Sequence, residues 1–298
     1  MSGKSPISHE RTRTMVSRAM LLAASWLLAA NAGWALDVQG HRGCRGLLPE
    51  NTLPAFREAI ALGVTTLELD VHGTRDRVLV VHHDASPSAK LCRRGDGTSA
   101  GKAPFSSRRY EEVARLDCGS RAAAGFPAQR TVPGARIPRL DEVLELARDA
   151  PYPVRVSIEV KLQKREQALP LTELAKLVVD ALSRHGLAAR AMVQSFDPEL
   201  LVEIRRVAPE LPRSLLVRGS GGFERWIDDG TATVLSPKFG KVTRESVAAL
   251  QSRGVAVIPW TVNETEDIRR LIDWGIDGII SDYPDRVLAV LAERDADD

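Results

Sequence analysis

Apolar residues recur at two alternating spacings along most of this chain. Short runs that are β-branched and aliphatic, or apolar at every second position, predict strands. They fall at Asp37–Gly40, Thr66–Val71, Arg155–Glu159, Ala191–Ser195, Arg213–Val217, Thr233–Leu235, Val255–Trp260 and Gly278–Ser281. Between most of these the spacing lengthens to i, i+3, i+4. This predicts helices over Leu53–Leu62, Leu140–Ala147, Leu171–His185, Pro198–Val207, Arg244–Ser252, Glu266–Trp274 and Pro284–Ala292. Gly63, Gly186, Gly254 and Gly275 each fall just past a helix, where a left-handed cap needs no Cβ.

Eight strands alternating with helices, in one domain of roughly 250 residues, predict an α/β fold of the (β/α)8 TIM-barrel type. An open doubly wound sheet competes, but no G-x-G-x-x-G follows the first strand. One segment breaks the rhythm. After a short strand at Val78–Val81 comes a polar, Gly- and Arg-rich tract, predicted to be a small inserted subdomain at about 84–136, following the second strand. A lid, a substrate lip and a decorative loop all fit it.

The N-terminus follows a different pattern. A basic stretch with Arg11, Arg13 and Arg18 precedes an apolar run from Ala19 to Ala30 and small residues around Ala32 and Ala35. That layout predicts a signal peptide over residues 1–35, cleaved after Ala32 or Ala35, and a protein exported to the periplasm or secreted. The apolar run falls short of the ~20 residues that span a bilayer, so the mature protein is expected to have no stable membrane span. Composition changes meaning once the segment is set aside. Residues 1–35 carry four Lys/Arg and one Glu, so the formal +2 falls to −1 without them. The basicity therefore belongs to the targeting segment and argues for no nucleic-acid partner.

Three cysteines remain, Cys44, Cys92 and Cys118. An odd count in an oxidising compartment suggests one bridge and one free thiol. Cys92 and Cys118 bracket the polar tract, so they form the expected pair and Cys44 is left over.

In a TIM barrel the site lies at the C-terminal ends of the strands. His41 and Arg42 end the first strand. Glu68 and Asp70 sit two apart on the second, on one face, and Glu159 and Lys161 repeat that spacing on the third. With Glu50, four acids converge on one mouth, where like charges cannot all stay ionised without a cation. All-oxygen ligation favours Mg2+ or Ca2+ over Zn2+. The competing reading is a salt-bridge network in which Arg42 and Lys161 neutralise the acids. His41 and one of the adjacent His82 and His83 come from separate connections and suit proton donation and removal at one centre. Alternation lets only one of the adjacent pair face the mouth, and spacing alone does not choose between them. Arg42 and Lys161 suit phosphate.

These residues lie in HRG, PENT, E-L-D-V, T-R-D, V-V-H-H-D, I-P-R-L, I-E-V-K, W-T-V-N and G-I-D-G-I-I-S-D-Y-P, in that order from His41 to Pro284. The set resembles the glycerophosphodiester phosphodiesterase family. The resemblance implies a TIM barrel with a small insertion, one divalent cation (Ca2+ or Mg2+) and phosphodiester hydrolysis. It implies His41 and His83 as the acid/base pair and Glu68, Asp70, Glu159 and Glu50 as metal ligands. Arg42 and Lys161 would hold phosphate, with Trp260 bordering the pocket. Departures are Ala-Ser-Pro-Ser-Ala-Lys after Asp84, where a leucine and an R-T pair are usual, Ser281 for threonine, and Arg139 for the threonine of I-P-T-L.

The expected reaction takes a glycerophosphodiester to glycerol 3-phosphate and an alcohol such as choline or ethanolamine. Within the same chemistry, a lysophospholipase D or phospholipase C-like activity would need an apolar groove beside Trp260 and Phe196. A non-catalytic exported phosphodiester-binding protein would keep the cation and phosphate groups but lose an acid/base histidine. The oligomeric state is not legible in the sequence.

Overall fold

Eight parallel strands wind into a nearly closed barrel in the computed structural model, which describes residues 36–162 and 169–297. The expected signal peptide, residues 1–35, lies outside the described residues. The barrel strands are β1 (Asp37–Gly40), β2 (Thr66–Gly73), β6 (Arg155–Val160), β7 (Ala191–Ser195), β8 (Arg213–Val217), β9 (Val234–Pro237), β10 (Ala256–Val257) and β11 (Gly278–Ser281). Their spatial order is β10-β9-β8-β7-β6-β2-β1-β11. Closure between β10 and β11 comes from Asp277 N–H donating to Val257 O (3.1 Å) and Ile280 N–H to Pro259 O (3.0 Å). The predicted strand Val255–Trp260 is regular only at Ala256–Val257, because Pro259 brings no N–H to the ladder.

Helices cover the sheet: α1 (Leu53–Leu62), α3 (Leu140–Arg148), α4 (Leu171–Arg184), α5 (Pro198–Val207), α7 (Arg244–Gln251), α8 (Thr265–Asp273) and α9 (Pro284–Asp297). A single-turn α6 (Glu224–Asp228) between β8 and β9 is too short for its period to show in the sequence. Outward strand residues such as Leu67, Leu69 and Ile158 pack with Phe56, Leu144, Leu182 and Leu200 in one core of fully buried side chains. Inward positions differ in character. Glu68, Asp70, Ser157, Glu159, Gln194, Ser214 and Ser236 are buried and polar, so the barrel axis is lined by groups that need partners. At the N-terminal end, Asp37 takes Arg155 Nη2 (2.8 Å) and the hydroxyls of Thr65 and Thr66.

β2 runs on to Gly73 because β3 (Leu79–Val81) turns back and pairs with it antiparallel, Val71 opposite Val81. The excursion that follows builds its own small core. β4 (Arg93–Arg94) and β5 (Leu116–Asp117) pair antiparallel, with α2 (Tyr110–Val113) between them in sequence. Val80, Phe105, Val113, Leu116 and Ile137 form a buried cluster apart from the main one, together with the disulfide Cys92–Cys118. Cys44 is free and fully buried under α1, its Sγ–H 3.3 Å from Ala55 O. Burial pushes its thiol up to about 12, which leaves it unreactive.

This distribution predicts a thiol count. A chromogenic disulfide reagent should find no reactive thiol in the native protein, one in denaturant and three after reduction. Replacing Cys92 and Cys118 together by alanine should lower stability by about 3 kcal/mol, the loop-closure value for a bridge of this span. Denaturant titration of the two proteins measures it.

Candidate active site

The loop after β1 must turn back within a few residues and still aim two side chains into the barrel mouth. A Cβ on Gly40 would lie 2.0 Å from Gly43 O, and one on Gly43 (φ 86°) 2.7 Å from the Ala55 backbone. Only glycine fits either position. Arg42 itself is left-handed (φ 51°), a conformation that costs a non-glycine residue energy and is held here by its contacts. Its N–H donates to Glu68 Oε2 (2.9 Å) and its Nη1 to Glu50 Oε1 (2.8 Å), while Nε lies 3.2 Å from Asp70 Oδ2. Asn51, also left-handed (φ 55°), donates its Nδ2–H to the same Asp70 oxygen (2.8 Å). Thr52 then caps α1.

The acids are set by strand register. Asp70 is opposite Glu159 across β2–β6, and Glu159 is opposite Gln194 across β6–β7. Glu68, two residues before Asp70, shares its face. Glu68, Asp70 and Glu159 therefore form one cluster, with ligand oxygens all within 4.8 Å of one another. Lys161, two past Glu159, places Nζ 2.6 Å from Glu159 Oε1 and 3.1 Å from Asp70 Oδ1. Gln194 Nε2–H donates to Glu68 Oε1 (2.7 Å).

Two cations do not balance these acids. Burial opposes ionisation of Asp70, yet Arg42 and Lys161 hold it well below the usual carboxylate range. Burial, then Asp70 and Glu159, push Glu68 well above it. Glu159 is pushed up to about 7 by burial and by Asp70, against Lys161. Glu68 and Glu159 are thus hard to ionise beside these two cations alone. Three carboxyl groups in one buried cluster, short of positive charge, fit a hard divalent cation of the Ca2+ or Mg2+ class.

His41 Nδ1 lies 2.5 Å from Asp282 Oδ1. Asp282 is fixed in turn by Asn263, whose Nδ2–H donates to its other oxygen (2.8 Å) and whose Oδ1 accepts its backbone N–H (3.0 Å). With Nδ1–H given to the carboxylate, Nε2 is the free ring nitrogen, 4.0 Å from Glu68 Oε2. Burial and then Arg42 lower the His41 pKa, with Asp282 opposing. Against its own burial, Asp282 is held at about 2, chiefly by His41.

The adjacent histidines divide. His83 faces the site cavity, its Nδ1 2.9 Å from Asp84 Oδ1. His82 is buried toward the insertion, where its Nε2 accepts Ser88 N–H (3.2 Å) and Phe105 meets it edge-on. One cavity of about 210 Å³ is lined by His41, Arg42, Glu68, His83, Glu159, Lys161 and Trp260, along with Arg45, Gln194, Phe196, Leu216 and Arg218. Glu50 departs from the expected ligand set. Its oxygens are taken by Arg42 Nη1 and by Arg45 Nε (2.5 Å), outside the acid cluster. Asp282 and Gln194 are not singled out in the sequence, and Asn263 falls beyond the seventh strand without a role. Asp282 and Asn263 stand in G-I-D-G-I-I-S-D-Y-P and W-T-V-N, and Gln194 falls on the inward parity of β7, a signal that the alternation carried.

Comparison with known proteins shows the family and the fold. Residues 41–286 match the glycerophosphoryl diester phosphodiesterase family. A glycerophosphodiester phosphodiesterase of Caldanaerobacter subterraneus subsp. tengcongensis is 32% identical over 84% of this chain and 96% of its own. A solved structure of a candidate glycerophosphoryl diester phosphodiesterase from Silicibacter pomeroyi is 34% identical, with a TM-score of 0.80 over 87% of this chain and 94% of that one. An Oleispira antarctica phosphodiesterase, solved with its product sn-glycerol-3-phosphate, shares the fold at 22% identity and a TM-score of 0.72, over 85% and 96% of the two chains.

Asp282→Asn should lower kcat for a glycerophosphodiester on the order of 10²-fold, since the amide no longer holds His41 in one tautomer. The far-UV spectrum should not change. Acid unfolding should change too. Because the Asp282 pKa is depressed in the fold, its stabilisation is complete above the unfolded value of ~3.9. It is lost as pH falls toward about 2. Between those values the wild type should lose more stability than Asp282→Asn, measured by denaturant titration at each pH.

Proposed function

We propose a mechanism and a cellular site from one premise: the chain belongs to the glycerophosphoryl diester phosphodiesterase family and is a glycerophosphodiester phosphodiesterase. The products are glycerol 3-phosphate and a free alcohol. One observation carries the mechanism: His41 and His83, from two separate connections, line one cavity with Arg42, Lys161 and two members of the acid cluster, Glu68 and Glu159.

Arg42 and Lys161 draw the phosphate into the cavity and stabilise the charge that builds on its oxygens. His41, its Nδ1–H committed to Asp282, offers Nε2 to remove a proton from the attacking hydroxyl. His83 protonates the leaving alcohol. The attacking group is the 2-hydroxyl of the glycerol, giving a cyclic phosphate that water opens with the two histidines exchanging roles. A divalent cation held by Glu68, Asp70 and Glu159 supplies Lewis-acid neutralisation of the phosphate oxygens when bound. Glu50 acts at one remove, holding Arg42 and Arg45 in place.

A lysophospholipase D activity is favoured by one observation, the apolar part of the cavity wall at Phe196, Leu216 and Trp260. Hydrolysis of a glycerophosphodiester but not of the matching lysophospholipid rules it out. Residues 1–35 are proposed to direct export and to be removed after Ala32 or Ala35. N-terminal sequencing of the exported protein should begin at Gly33 or at Leu36.

The assay supplies purified protein with several glycerophosphodiesters in Ca2+, Mg2+ or chelator and reads glycerol 3-phosphate. Chelator should abolish turnover. His41→Ala and His83→Ala should each lower kcat by roughly 10²- to 10⁴-fold, the usual contribution of a general acid or base. Near-full turnover by His41→Ala would overturn the mechanism.

A further inference from the structure

Four cationic side chains line the cavity, and three of them are occupied. Arg42 is held by Glu50 and Asp70, Arg45 by Glu50, and Lys161 by Asp70 and Glu159. Arg218 has no carboxylate partner among the described residues. It follows β8 at the C-terminal rim of the barrel, two past Leu216, so the period of the strand turns it to the same cavity.

Arg218 is nevertheless positioned. Its guanidinium carbon lies 3.9 Å from the centroid of Phe196. Phe196 meets Trp260 edge-on at 5.5 Å, and Trp260 donates its Nε1–H to Ser236 O (2.8 Å). The wall is therefore a fixed aromatic pair with a guanidinium laid on it. Lys161 Nζ is 5.9 Å from the same Phe196 centroid. A quaternary ammonium is bound by open aromatic faces, and here a guanidinium occupies the ring that would receive it. A guanidinium stacked on a ring keeps its N–H fork for a carboxylate or phosphate.

We infer that Arg218 is a specificity residue, selecting diesters whose alcohol portion carries a second anionic group and disfavouring those with a quaternary ammonium. The inference rests on the reading of this cavity as a glycerophosphodiester site. The buried cluster takes the phosphate, and the exposed rim where Arg218 stands is the way out for the alcohol. Selection then appears in KM more than in kcat, because Arg218 is on the rim and the histidines do the proton transfers.

Three diesters test it with the full chain at saturating divalent cation: glycerophosphocholine, glycerophosphoglycerol and glycerophosphoinositol 4-phosphate. The wild type should favour the last over the first in kcat/KM by about tenfold or more, the size of one charge-assisted hydrogen bond. Arg218→Ala should remove most of that ratio through KM, Arg218→Lys should keep part of it, and Arg218→Glu should reverse it. A wild-type preference for glycerophosphocholine, or an Arg218→Ala protein that loses the same factor on all three, overturns the inference. Equal hydrolysis of all three by the wild type overturns selectivity alone. No hydrolysis of any of them overturns the phosphodiesterase reading of the cavity as well.

Discussion

Three carboxylates buried on adjacent barrel strands are the constraint on which the rest of the site depends. An uncompensated charge in such a place costs several kcal/mol, and register puts Asp70 directly beside Glu159 with Glu68 on the same face. The loop after β1 answers that cost with both its backbone and its side chains. Arg42 gives its N–H to Glu68 and its guanidinium to Asp70 and Glu50. To do this the residue takes a left-handed conformation, and Gly40 and Gly43 must be glycine for the turn to close. Strain in the loop and crowding of charge in the barrel are thus two sides of one arrangement. Even so Glu68 and Glu159 remain hard to ionise, which is why the cluster suits a cation better than a closed salt-bridge network does.

Period two then extends the site upward without new machinery. Lys161 follows Glu159, Phe196 follows Gln194 and Arg218 follows Leu216, each two residues on and each lining the same cavity. Polar groups deep in the barrel give way to an aromatic and cationic rim by alternation alone. The histidines are delivered differently. His41 is anchored across the β1–β11 seam by Asp282, held by Asn263, so closure of the barrel also orients its imidazole.

The barrel and most of the cluster were legible because both rest on local periodicity. Hydrophobic alternation marks the strands, and polar residues at inward parity mark Glu68, Asp70, Glu159 and Lys161. What escaped depends on contacts distant in sequence. Glu50 looks like a ligand by charge, but Arg42 and Arg45 claim its oxygens, a pairing fixed by the path of one loop. The bond between His41 and Asp282 joins residues 241 apart in sequence, just past the first and last barrel strands, which no local pattern reports. The adjacent histidines could not be separated by alternation, since that requires knowing which face the hairpin turns inward. The resemblance to a family named His83, and His83 is the one that faces the cavity.

That separation also gives the insertion a physical role. β3, which carries the chain to His83, pairs with β2 on one side and is bridged to Arg139 on the other, where Val81 N–H donates to Pro138 O (2.9 Å). Its Val80 also packs into the small core of the excursion with Phe105 and the Cys92–Cys118 bridge. Phe105 lies against both His72 and His82, at ring-centroid distances of 5.7 and 5.4 Å. Burial lowers His72 to about 4, so the ring is neutral, and its Nε2 is 3.1 Å from the His83 carbonyl. With Nε2 protonated, His72 donates to that carbonyl and ties the backbone of His83 to β2. The excursion therefore works as a buttress behind the second acid/base histidine. Support for the hairpin is not among the roles the sequence suggested, a lid, a substrate lip or a decorative loop, and it is the one these buried contacts explain.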